Sequence, residues 1–180
     1  MGSYRRYFHR LNNPVFITAV TKNRQHLLIE NIELLREAFK VSIKKFSYKF
    51  IAGIIMPEHF HIIISTENTA DIPFIIKEIK YNFTKNLPEK YKNKVILTES
   101  EKKRREKGIW QRRYYDHIIR DENDFYKHLD YIHYNSVKHY DVKPADWKFS
   151  SFNKFVQQGY YKKSWCNFED KNNIKQLNLE

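Results

Sequence analysis

The sequence predicts an α+β domain, an antiparallel sheet with helices on one face and one more helix after the last strand. Three observations lead there. Short β-branched and aromatic runs alternate with longer segments whose apolar residues recur every three or four positions. These segments come in the order strand, helix, strand, strand, helix, strand, helix. The chain has 180 residues, 41% of them hydrophobic, with only 4 Gly and 5 Pro. That suits one compact domain able to bury a core without disulfides or a structural metal.

Residues 14 to 21 (Pro-Val-Phe-Ile-Thr-Ala-Val-Thr) are β-branched and aromatic and predict the first strand. From 31 to 46, Ile32, Leu35, Phe39, Ile43 and Phe46 stand at helical spacing, with Asn31 available as N-cap. Residues 48 to 56 predict a second strand, and Pro57-Glu58 punctuates the chain. Residues 59 to 65 predict a third strand, paired to the second. Helical spacing returns from 72 to 87 through Ile75, Ile79, Phe83 and Leu87. The pattern dissolves into charge from 88 to 108, which predicts a mobile loop. Residues 110 to 119 predict a fourth strand. Asp121 opens a helix to about residue 139, with Asp124 placed to complete a capping-box-like turn. Beyond it, Trp147, Phe149, Phe152, Phe155 and Trp165 are expected to pack back onto the domain. Without the last helix, this order is the split βαβ arrangement of ferredoxin-like folds. It leaves the second sheet face free for a ligand.

Composition narrows the partners. The formal charge is +12, which points to an anionic partner. Thirteen Tyr and 13 Phe beside that charge suit a protein that holds phosphates and stacks unpaired bases. The single cysteine, Cys166, cannot form an internal disulfide, so a reducing compartment is expected. No apolar run approaches a membrane span, and the N-terminus lacks the apolar core of a signal peptide.

Two constellations carry chemistry. His59 and His61 are two apart on a predicted strand, so both imidazoles face the same way while Phe60 and Ile62 face the core. Such a pair is suited to a divalent cation, although the spacing alone equally describes two structural histidines. The second lies on the last helix. With Phe125 as zero, Leu129 falls at about 40° and Ile132 at about 340°, an apolar stripe. Tyr131 (about 240°), Asp124 (about 260°), Asn135 (about 280°) and His128 (about 300°) share the face beside it. Tyr134, at about 180°, is expected opposite the core. An ordinary amphipathic helix has the same pattern. Taken together, the constellations suggest Tyr131 as a nucleophile forming a covalent phosphotyrosine with DNA. A cation on His59 and His61, completed by the Asn135 amide oxygen, would assist it.

These residues resemble a known family. Met56-Pro57-Glu58-His59-Phe60-His61 is similar to the His-hydrophobe-His strand of HUH single-strand endonucleases, in the form typical of single-tyrosine transposases. Residues 110 to 121 resemble the segment leading into their catalytic helix, and residues 130 to 139 resemble that helix. The REP-associated tyrosine transposases, related to small bacterial insertion-sequence transposases, are the best match. Tyr4-Arg5-Arg6-Tyr7 and residues 146 to 152 also look like that branch.

The resemblance implies a metal-dependent enzyme of one ferredoxin-like domain. It would nick and join single-stranded DNA beside REP-like hairpins through a 5′-phosphotyrosine. It implies Tyr131 as nucleophile and His59, His61 and Asn135 as ligands of Mg2+ or Mn2+. It places Tyr4, Arg5, Arg6, Tyr7, Arg112, Arg113 and Lys138 on DNA. The alternative is a hairpin-binding protein that has lost catalysis. The implied domain spans residues 1–165, followed by a C-terminal tail, 166–180. A monomer or homodimer in the bacterial cytoplasm, associated with DNA, is expected. Ser136 stands where that branch usually has Pro after the Asn, so this helix is expected to run on. Glu58 stands where Asn is common and reads as a turn residue within reach of the metal.

Overall fold

The computed structural model describes residues 12, 14–93 and 95–165. The elements are β1 (Pro14–Val20), α1 (Ile32–Phe46), β2 (Lys49–Ile55), β3 (His59–Ser65), α2 (Ile72–Asn86), α3 (Glu89–Lys92), α4 (Glu99–Lys103), β4 (Tyr115–Ile118), α5 (Glu122–Tyr140) and α6 (Phe152–Gln157). The sheet order is β2-β3-β1-β4, and every pairing is antiparallel. This is the ferredoxin-like arrangement, with α5 added after β4.

Strand alternation splits the interior in two. Val15, Ile17, Ala19, Phe60, Ile62 and Ile64 face α1 and α2, where Ile75, Ile79, Phe83 and Leu87 meet them. Phe16, Ile54 and Ile63 face the other way, onto Phe125, Leu129 and Ile132 of α5. Fully burying each such side chain contributes roughly 1.5–3 kcal/mol, so both faces are held firmly. The element order predicts an open second face; instead α5 and the tail cover it. The physical reason is the apolar second face itself, which a sheet must bury against another layer.

The tail is fastened along the β2 edge. The Ile55 amide donates to the Phe149 carbonyl (2.8 Å), and the Ser151 amide donates to the Gly53 carbonyl (2.9 Å). The Gly53 amide donates to Ser151 Oγ (3.0 Å), and Trp147 Nε1 donates to the Ile55 carbonyl (3.0 Å). An edge that would otherwise expose unpaired backbone is thus closed. Phe152, Phe155, Tyr160, Tyr161 and Trp165 then lie on α5.

That packing changes the expected environment of α5. Tyr134 is not opposite the core but 3% exposed, with its ring 6.4 Å from that of Trp165. The projection counted only the sheet side, whereas the tail supplies a second buried side. His133 is also enclosed, its Nε2 2.8 Å from Ser151 Oγ, and burial holds its pKa down to about 3. The helix runs through buried Ser136 to Tyr140. Asp121 caps α5 by accepting from the Asp124 amide (2.9 Å). The Asp124 carboxylate does not complete a capping box; it turns to the Arg120 amide (3.1 Å) and to His117 Nε2 (2.8 Å).

Residues 88 to 108 contain α3 and α4, not one loop. Glu–Lys pairs at i, i+3 support both turns (Glu89–Lys92 and Glu99–Lys102), and Thr98 with Glu101 forms a capping box. Lys22 Nζ, 2.6 Å from Glu101 Oε1, ties α4 to the domain. The fourth strand is shorter than 110 to 119: Trp110 makes only an isolated bridge to Thr21 before exposed residues 111 to 113, and regular pairing begins at Tyr115.

Candidate active site

The register of β3 against β1 sets the site. His59 lies opposite Val20 and His61 opposite Thr18, with both rings on the α5 side. Their centroids are 4.8 Å apart. Each Nδ1 has a partner: Glu58 Oε1 is 3.0 Å from that of His59, and Thr18 Oγ1 is 2.7 Å from that of His61. Such partners fix ring orientation and tautomer, which makes Nε2 the nitrogen each ring can offer to a cation.

Glu58 is 6% exposed rather than on an open turn. Burial alone would raise its pKa, but the hydrogen bond from His59, and the attraction of that ring whenever it is protonated, outweigh this, leaving a value of about 2. Arg24 (3.5 Å) and the Tyr140 hydroxyl (3.4 Å) also reach it.

From α5, Asn135 Oδ1 comes to 3.3 Å from His59 Nε2. With Nδ1–H of His59 given to the Glu58 carboxylate, the Nε2 lone pair faces an amide oxygen. Two acceptors facing each other suit a cation between them. The donor set, two neutral imidazoles and one amide oxygen, fits a divalent ion without repelling a phosphate. Tyr131, one turn before Asn135, packs its ring against that of His61 (5.2 Å, edge-on) and is 1% exposed. Lys138 Nζ lies 3.4 Å from the Tyr131 hydroxyl and 5.2 Å from its ring centre.

His59, His61, Tyr131, Asn135 and Lys138 therefore converge. The two arginines do not stay together. Arg113 lines a cleft of about 270 Å³ beside His59, with Thr18, Arg24, Tyr114 and Tyr115. Arg112 lines a larger groove of about 850 Å³ along α2, with Lys77, Lys80, Lys85, Lys92 and Lys107. Tyr4, Arg5, Arg6, Tyr7 and the tail from 166 lie outside the described residues.

Sequence reasoning missed Thr18, which is visible only once strand register is known. It also missed His139, whose ring is 5.3 Å from that of His59. It placed Lys138 on DNA without seeing that an i, i+7 relation sets it over Tyr131. No helix among the described residues is long and apolar enough to cross a membrane.

Residues 12–135 match the family model described as "Transposase IS200 like". The chain is 36% identical over 168 residues to a Haemophilus influenzae protein assigned to the REP-associated tyrosine transposases, covering 92% of this chain and 93% of the relative. It is 32% identical over 168 residues to the REP-associated tyrosine transposase of Escherichia coli K12, covering 92% of each. A solved structure of a REP-associated tyrosine transposase bound to a REP hairpin superimposes with a TM-score of 0.69. It is 30% identical and covers 93% of this chain and 92% of that one.

Proposed function

The chain belongs to the IS200-like transposase family, as a relative of its REP-associated tyrosine transposases, and from that premise we propose that it nicks and rejoins single-stranded DNA beside a hairpin, with Tyr131 as nucleophile. One observation carries the reading. Tyr131 and Asn135, on one face of α5, meet His59 and His61 of β3, with Asn135 Oδ1 3.3 Å from His59 Nε2 and the Tyr131 ring 5.2 Å from that of His61.

In the proposed step, Tyr131 Oη bonds to phosphorus as the bond from phosphorus to O3′ breaks. The phenol loses its proton and the departing O3′ takes one up. The strand then ends in a free 3′-hydroxyl and a 5′-phosphotyrosine. Attack by another 3′-hydroxyl reverses the step and joins strands, and one phosphodiester exchanges for another without an external energy source. His59, His61 and Asn135 would hold Mg2+ or Mn2+, which when bound supplies Lewis-acid polarisation of a non-bridging phosphate oxygen. Glu58 and Thr18 keep the two rings oriented. Lys138 stabilises negative charge on the phenol oxygen and, swung off the ring, meets the incoming phosphate. Arg113 is placed to hold the strand near His59, while Tyr4, Arg5, Arg6 and Tyr7 are proposed to read the hairpin or its flank.

The test uses labelled single-stranded hairpin DNA with Mg2+ or Mn2+. A covalent adduct is expected with the native chain and with Tyr134→Phe, but none with Tyr131→Phe, which should keep DNA binding. EDTA should stop cleavage while leaving binding. Mapping the adduct to Tyr114 or Tyr134, with Tyr131 unmodified, would overturn the assignment.

A further inference from the structure

A second cluster of metal-ligating side chains lies at the start of α5, and the proposed chemistry does not use it. His117 comes from β4, and Asp124 and His128 come from α5. His117 Nε2 is 2.8 Å from Asp124 Oδ2, and His128 Nδ1 is 3.1 Å from Asp124 Oδ1. One ligand atom from each residue lies within 4.8 Å of the others. The two rings are stacked, with centroids 4.6 Å apart and planes at 15°. Asp124 and His128 are buried, while the His117 side chain keeps 25% of its surface exposed, an entry from solvent.

The orientation of His128 is the second observation. Its Nδ1 lies 2.8 Å from the Asp124 backbone carbonyl, which accepts Nδ1–H and puts the lone pair on Nε2. Backbone-anchored imidazoles of this kind are a usual form of metal ligand. Nε2 of His128 is buried with no hydrogen-bond partner among the described residues. A buried lone pair without a donor is costly, and a cation would satisfy it.

We propose that His117, Asp124 and His128 form a second divalent-metal site, for a transition cation such as Zn2+. Two imidazoles and one carboxylate suit Zn2+ better than Mg2+, which prefers oxygen ligands. A cation at His117 Nε2 takes the place of the hydrogen that this nitrogen directs at Asp124 Oδ2, and the neutral imidazole then carries its one proton on Nδ1. The Arg120 guanidinium, 3.5 Å from Asp124 Oδ2, has a side chain 76% exposed and can swing away. The Phe16 ring stands between this site and the first, 4.8 Å from the His128 ring and 5.6 Å from that of His61. A cation here joins β4, an edge strand, to the helix that carries Tyr131. It sets the helix position without touching the reacting phosphate.

The test is Zn2+ stoichiometry on the full chain, read by competition with a chromogenic chelator. The chain with His59→Ala and His61→Ala should bind one Zn2+ and melt at a higher temperature with it. Adding Asp124→Asn should weaken that binding at least tenfold. In the otherwise native chain, His117→Ala should remove one Zn2+, whether or not the His59–His61 pair also binds it. His117 is partly exposed, so this variant should fold, as circular dichroism can verify. An unchanged stoichiometry in folded His117→Ala overturns the proposal, as does a folded His59→Ala/His61→Ala chain that takes up no Zn2+. Neither result bears on Tyr131 as nucleophile.

Discussion

A tyrosine hydroxyl with an ordinary pKa near 10 is a poor nucleophile at neutral pH, so what surrounds Tyr131 decides whether it can react. Lys138 is the cation nearest its oxygen that the geometry shows, at 3.4 Å. Lys138→Ala is expected to slow adduct formation about tenfold, about 1.4 kcal/mol of barrier, with a smaller loss in hairpin affinity. Equal losses in rate and affinity would make Lys138 a DNA contact alone. Glu58 acts at one remove, through His59 Nδ1 at 3.0 Å. Glu58→Gln keeps the shape but weakens the charge-assisted bond, and should reduce divalent-metal affinity by about 10- to 100-fold. Metal titration of cleavage would check this: a saturating Mn2+ concentration should recover most of the rate. Asn135→Ala should be milder than His59→Ala, since water can replace one neutral oxygen ligand.

At the scale of elements, what the sequence revealed depended on how local the cause was. The His59-Phe60-His61 alternation was legible because a strand's period of two leaves no choice of face. The Tyr131–Asn135 pairing was legible for the same reason at helical spacing. Tyr134 was misread because its cover comes from Trp165, far along the chain. The pairing of Thr18 with His61 and the turn of Asp124 toward His117 depend on register and tertiary packing, which no short window contains. Gly53 shows the same limit: a Cβ there would stand 2.6 Å from the Phe50 ring, 3.0 Å from Ile62 and 3.1 Å from the His61 carbonyl oxygen. Gly53→Ala should cost about 1–3 kcal/mol in urea unfolding, since overpacking forces β2 away from β3. Tyr48, just before β2, is 3% exposed; burial pushes its pKa up from 10.0 to about 12, with the Ser42 hydroxyl offsetting this in part. Its folded state holds the proton more tightly than its unfolded state. The stability it contributes is therefore present below pH 10 and lost as pH rises toward 12, at about 1.4 kcal/mol per pH unit. Tyr48→Phe should flatten that part of an alkaline unfolding series, and a slope unchanged by the substitution would assign the loss to other groups.

Over the whole molecule, a formal charge of +12 is enough to attract DNA, but charge alone does not say where the strand runs. The structure distributes cations unevenly. Lys77, Lys80, Lys85, Lys92, Lys107 and Arg112 line one groove of about 850 Å³ against only Glu89 and Glu106. Lys80 Nζ lies over the rings of Trp110 and Tyr114, 5.8 Å from each centre, so the groove combines charge with aromatic surface. The groove adjoins residues 110 to 112, while Arg113 lines the cleft beside His59. We propose that a strand bound along the groove would be led past residues 112 and 113 toward the candidate active site. Each phosphate neutralised contributes roughly 0.7 (single strand) to 0.9 (duplex) to the slope of log affinity against log salt. Lys85→Ala with Arg112→Ala should therefore lower the magnitude of that slope by about 1.4 to 1.8 on hairpin DNA. Lys44→Ala is the control, because Lys44 is exposed on α1 outside the groove. It should change affinity slightly and leave the groove's share of the slope intact. If removing Lys44 lowers the slope as much per charge as removing Lys85 and Arg112, the basic charge acts as a diffuse field, and the groove does not guide the strand.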